Sequence, residues 1–151
     1  MKPEKLEIKA AMQIQKPINE VFEAIVNPEK MSNYFISKST GRMEEGKNLI
    51  WNFPEFDFDC PVRVGKIEKD KYISYYWSSD DIELLVEMTL TEREDNSTLV
   101  SITEKSRDND EAGIKWLSGN SFGWSNFLAC LKAYLEYGIN LRKGAFTFMK
   151  K

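Results

Sequence analysis

The side chains equipped to do chemistry in this chain are carboxylates, tyrosines and indoles, because none of its 151 residues is histidine. Ser-His-Asp and Cys-His mechanisms are therefore closed to it, as are metal sites built on imidazole. Cys60 and Cys130 lie too far apart in sequence to read as a thiolate zinc site, and are expected as two free thiols. Gly113, Gly119 and Gly123 do not form a dinucleotide fingerprint, and no phosphate-cradling loop of Walker type occurs. Glu55, Asp57, Asp59, Asp80 and Asp81 form a loose acidic group without the glycine and distal glutamate of a calcium loop, so they read as solvated surface charge. The expectation is no catalytic residue, no metal and no cofactor.

The aromatic residues carry more information. Four Trp, six Tyr and nine Phe make up 13% of the chain, enough to line a cavity as well as fill a core. Trp51, Phe53, Phe58, Tyr75 and Trp77 fall on successive extended segments, with Val62, Leu84, Val86 and Met88 alternating onto the same side. Trp116, Asn120, Trp124, Phe127, Leu128 and Leu131 fall on or beside one helical stripe. Rings with polar tips, such as Tyr75 and Trp77, suit the wall of a ligand pocket. These residues are the candidate cavity lining. Glu104, Asn120 and Ser121 are the polar groups expected at its rim, and Arg63 reads as outward by alternation.

The elements that must position them are legible from periodicity. Leu6, Ile8, Ala10, Met12 and Ile14 alternate with polar neighbours, the pattern of a strand with one buried face. Pro17 opens a short helix with Ile18, Val21, Phe22 and Ile25 on one stripe, and Asn27-Pro28 caps and starts a second. Leu49, Trp51 and Phe53 mark a strand. Phe58, Cys60, Val62 and Val64 mark the next, with a bulge at Gly65-Lys66. Asp70-Lys71 turns the chain into Ile73, Tyr75 and Trp77, and Ser78 to Asp81 breaks it again. A long strand follows with Ile82, Leu84, Val86, Met88 and Leu90 inward, then a turn over Glu94-Asp-Asn-Ser97 and a returning strand from Leu99 to Thr103.

Asp108, three residues before Glu111, resembles a capping box for a final helix. Its stripe, Leu117, Ser121, Trp124, Leu128, Leu131 and Leu135, runs about five turns to a C-cap at Gly138. The GxxxG spacing of Gly119 and Gly123 reads as a frayed or bent helix entry rather than a contact surface. Residues 139–151 are an apolar-speckled extension with no periodicity.

The order of strand, two short helices, further antiparallel strands and a long last helix resembles the START-like, or helix-grip, superfamily. Pro17-Ile-Asn-Glu-Val-Phe-Glu-Ala-Ile-Val-Asn-Pro-Glu-Lys-Met-Ser-Asn-Tyr-Phe35 is similar to the opening signature of the family related to the activator of the ninety-kilodalton heat-shock chaperone ATPase. Gly65-Lys-Ile-Glu, Tyr72-Ile-Ser-Tyr-Tyr-Trp77, Asn96 to Glu104 and Gly123 to Gly138 resemble its central strands, last strand and closing helix. Tyr34 stands where that family usually has Trp. The resemblance covers roughly residues 4–138 and implies an α+β fold: a curved antiparallel sheet of six to seven strands under a long C-terminal helix, with a cavity between. The chain reads as one domain, 1–151, ending in the extension.

Three functions are compatible with that fold: a non-catalytic binding domain for a small apolar, aromatic or lipid-like molecule, a module that docks a chaperone or stress protein, and a cyclase- or hydrolase-like enzyme working without histidine. The first is preferred. A net charge of −3 with scattered Lys and Arg argues against nucleic acid as a partner. No run approaches the ~18 apolar residues of a membrane span. The charged opening Met1-Lys-Pro-Glu-Lys lacks a signal-type apolar segment, so a cytoplasmic location is expected. The sequence leaves oligomeric state open.

Overall fold

The computed structural model describes residues 4–150. Strand β1 (Lys5–Ile14) leads into helices α1 (Ile18–Val26) and α2 (Pro28–Met31). Strands β2 (Lys38–Ser39), β3 (Asn48–Asn52), β4 (Cys60–Glu68), β5 (Tyr72–Ser79), β6 (Ile82–Arg93) and β7 (Ser97–Asp108) follow, and helix α3 (Glu111–Tyr137) crosses back over them. All pairings are antiparallel, in the order β1-β7-β6-β5-β4-β3-β2. Every strand from β3 to β7 thus pairs with its sequence neighbours, and only β1 joins from a distance, across the connection that carries α1 and α2.

Local chemistry accounts for most boundaries. The Asn27 side chain accepts from Glu29 N at 2.9 Å and Pro28 occupies the first turn, so α2 starts where the sequence placed it. Asp80 and Asp81 both take left-handed φ (51° and 63°), the geometry of a tight two-residue hairpin between β5 and β6. The β4–β5 register slips between Val64 and Ile67, confirming the bulge at Gly65-Lys66. A side chain at position 65 would come within 2.7 Å of Ser74 Oγ, the hydroxyl that donates to Lys66 O.

The structure differs from the sequence reading at Phe58, at Ile82 and at the start of α3. Phe58 does not extend β4: the chain from Phe53 to Asp59 turns on itself, with Phe56 N donating to Phe53 O, and Phe58 is 55% exposed against Phe56. Alternation cannot persist through a segment that is not extended. Ile82 is 41% exposed because it is the first residue after the hairpin, paired with Ser79 at the end of the sheet. The cap of α3 is Asp110, whose carboxylate accepts from Gly113 N at 2.7 Å, whereas Asp108 is the last residue of β7 and pairs with Lys5. The abrupt strand-to-helix corner explains Gly113, since any Cβ there would sit 1.9 Å from Asp108 O.

Helix α3 spans 27 residues without interruption, so Gly119 and Gly123 lie on its exposed face and mark no break. It ends at Gly138 in the left-handed conformation, φ 66°. Trp116, Trp124, Phe127, Leu128, Cys130 and Leu131 are its buried side, and Leu117, Ser121 and Leu135 are half-buried. Beyond Gly138 the chain folds back as turns and a short 3-10 helix, Thr147–Met149. Cys60 and Cys130 are both free thiols.

Candidate functional site

The face of the sheet under α3 is set by alternation on β5, β6 and β7. Ile73, Tyr75 and Trp77 point to it, as do Leu84, Val86 and Met88, and from β7 Val100, Ile102 and Glu104. Glu104 therefore enters the interior by the same period-two rule that buries its apolar neighbours, opposite Val86. It is wholly inaccessible to solvent.

Its carboxylate is held by three neutral donors and by no cation among the described residues. Trp77 Nε1 donates to Oε2 at 2.7 Å. Trp124 Nε1 and Asn120 Nδ2 donate to Oε1 at 2.9 and 3.0 Å. Asn120 and Trp124 are four residues apart, so one face of α3 presents both to the sheet. The carboxylate is thus a tie between helix and sheet. It is not a rim group: the sequence placed the right residue on the right face but too far out.

Around this tie the rings meet. Trp77 and Trp124 lie 5.7 Å apart, Trp51 is 5.1 Å from Tyr75, and Phe35 is 4.8 Å from Phe127 and 5.7 Å from Trp51. Of the candidate lining, Trp51, Val62, Tyr75, Leu84, Val86, Met88, Trp116, Trp124, Phe127, Leu128 and Leu131 are buried, while Phe53, Trp77 and Asn120 are partly so. Phe58 is not among them. Arg63 points outward, pairing with Glu83 at 2.7 Å and lying over the Tyr76 ring.

Three polar atoms in this interior have no partner among the described residues: Trp51 Nε1, Tyr75 Oη and Trp116 Nε1 are buried and form no hydrogen bond with them. Unpaired buried donors are rare, and each such group marks either a cost or a missing partner. Burial, reinforced by the charge of Glu104, holds the Tyr75 hydroxyl well above the usual tyrosine range. Burial does the same for Tyr34, which donates to Ala24 O at 2.8 Å. Tyr72 is pushed up to about 12 by burial and by its 2.5 Å bond to Glu87.

These shifts predict a pH dependence. A phenol whose folded value lies above its unfolded one keeps its proton in the native state after the unfolded chain has lost it. Stability from this source is intact below about pH 10 and falls as pH rises through 10 to 12. Absorbance at 295 nm should show Tyr34, Tyr72 and Tyr75 still silent where an ordinary tyrosine ionises, near pH 10, and then ionising together with loss of near-ultraviolet ellipticity. Smooth titration of all six tyrosines near pH 10 in a folded protein would contradict it.

A second feature had no sequence signal. Glu55, read as solvated charge, is only 8% exposed, and its Oε1 accepts from Arg142 Nη2 at 2.7 Å. The guanidinium lies 5.2 to 5.9 Å from the centroids of Phe35, Phe53 and Phe146, and its Nε has no hydrogen-bond partner among the described residues. The extension thereby closes over the Phe35 end of the interior. Beneath it lies a cleft of about 330 Å³, floored by Tyr34, Phe35 and Ile36. Of the other acidic residues, Asp80 pairs with the buried Arg107 at 2.8 Å, and Asp57, Asp59 and Asp81 are exposed.

A seven-stranded antiparallel sheet gripping one long helix, with two short helices after the first strand, defines a helix-grip domain of the START-like class. The family model described as "Activator of Hsp90 ATPase homolog 1-like protein" matches residues 15–136, and the chain belongs to that family. The crystal structure of SSP2350 from Staphylococcus saprophyticus is 33% identical, with a TM-score of 0.79 over 89% of this chain and 94% of that one. The Aha1 dimer from Colwellia psychrerythraea shares the fold at 17% identity, TM-score 0.75, over 88% and 98% of the two chains. DynU16, a putative protein of the dynemicin biosynthetic locus, does so at 21% identity and TM-score 0.78; this chain is covered over 89% and DynU16 over 48% of its length. No curated protein sequence matches. Among the described residues no helix is long and apolar enough to cross a membrane.

Proposed function

We propose that the protein is a non-catalytic binding domain for a small aromatic or lipid-like molecule carrying an oxygen acceptor, held between the sheet and α3. The observation behind this reading is two neighbouring unpartnered donors, Trp51 Nε1 and Tyr75 Oη, set among rings that meet edge to face, beside a carboxylate that is already occupied. Rings supply area and shape, and the two donors supply orientation. Glu104 keeps the indoles of Trp77 and Trp124 in place and so shapes the wall without needing to touch the ligand. The rings in contact across the interior must part to admit a guest, so binding couples to movement of α3 or of the segment that closes the Phe35 end.

Native mass spectrometry and solvent extraction of the purified protein test for a co-purifying molecule. Independently, 2-naphthol titrated by NMR should shift the Trp51 and Trp77 indole signals, and Tyr75→Phe should weaken it about fivefold, the loss of one hydrogen bond. Absence of both an extracted molecule and any indole shift would overturn the reading.

A further inference from the structure

We infer that the cleft beneath residues 140–150 is a separate binding site that takes an amphipathic carboxylate, with its apolar body on the Phe35 floor and its anionic end among the cations of the C-terminal extension. The floor is Tyr34, Phe35 and Ile36, and the charged residues of the wall are Arg142, Lys143, Lys150 and Glu55. Three cations thus face one carboxylate. That carboxylate is already committed to Arg142, and among the described residues neither Lys143 nor Lys150 takes part in an ion pair.

The result is an excess of positive charge at the edge of a hollow with an apolar floor and polar walls, on a protein whose net charge is −3. About 330 Å³ lies at the lower end of the range for small-molecule pockets. A ring or short alkyl chain with one acid group fits that space and charge. A bare phosphate would leave the floor uncovered, and its second charge would face Glu55. The cationic wall comes from residues beyond the stretch matched by the family, 15–136, so the site belongs to this chain's own extension.

The test uses the full chain and three probes: 3-phenylpropanoate, its neutral analogue 3-phenylpropan-1-ol, and inorganic phosphate. By NMR titration the acid should shift Phe35, Ile36 and Arg142 signals and bind at least fivefold more tightly than the alcohol. Lys143→Gln combined with Lys150→Gln changes two exposed side chains and leaves the Arg142–Glu55 bridge in place. That variant should lose most of the acid's advantage and leave the alcohol unaffected. Tyr75→Phe, which removes the interior hydroxyl and keeps the ring beside Trp51, should leave acid binding unchanged, which separates this site from the interior one. Equal binding of acid and alcohol, phosphate competing as well as the acid, or shifts confined to Trp51 and Tyr75 would each overturn the inference.

Discussion

Glu104→Gln is expected to lower stability by about 2–3 kcal/mol. The carboxylate accepts three hydrogen bonds on two oxygens, from Trp77, Trp124 and Asn120. A glutamine presents one oxygen and one NH2. Turned to keep Trp124 and Asn120 satisfied, it sets its own N–H groups against the Trp77 indole and leaves a buried donor without an acceptor. Turned the other way, it strands two.

The opposing effect is relief of burying a charge without a cation, which by itself favours the neutral residue. Three well-placed donors at 2.7 to 3.0 Å offset that cost in the parent, and the variant loses part of the offset. In urea the midpoint should fall with the slope unchanged, and Tm should fall by about 2–4 °C per kcal/mol. Glu104→Leu strands all three donors and should cost more still. A Glu104→Gln variant as stable as the parent would show that desolvation outweighs the donors and that the tie contributes little.

Arg142→Ala should act differently, through local opening. Removing one partner of a buried pair costs about 3–5 kcal/mol where the other must stay buried. Glu55 is only 8% exposed, but it sits on the Phe53–Asp59 turn and faces a terminal segment, so both sides can move apart and hydrate. The expected result is a global loss of about 1–2 kcal/mol with complete loss of amide protection over residues 139–149, read by hydrogen exchange. Phe35 and Phe53 lose the guanidinium that lies over their rings and become accessible. The double variant Arg142→Met with Glu55→Gln should regain protection, because an apolar cover is restored and no charge is left buried. Unchanged exchange in Arg142→Ala would mean that the segment is held by its apolar residues alone.

The alternating strands, the Asn27-Pro28 cap, the Gly65 bulge and the Gly138 stop are written in residues a few positions apart, and the structure follows them. Asp108 and Asp110 are chemically equivalent caps, and only the pairing of Asp108 with Lys5 assigns it to the strand and leaves the cap of α3 to Asp110. Alternation does not continue through the turn at Phe53–Phe56, which is why Phe58 lies outside the face that the strand pattern gives it.

For the aromatic residues on regular strands and on α3, and for Glu104, the sequence by itself determined which faces they occupy, since the two-residue period of a strand and the 3.6-residue period of a helix are local properties. What those faces meet is a different kind of fact. The partners of Glu104 come from 16, 20 and 27 residues away, and Arg142 reaches Glu55 across 87. Such pairs leave no periodic trace, because their geometry exists only once α3 has crossed the sheet and the chain beyond Gly138 has turned back. Tertiary structure therefore decided that the expected cavity is crossed by rings tied to a buried carboxylate, and that an open cleft lies at its mouth, under an extension with no pattern of its own.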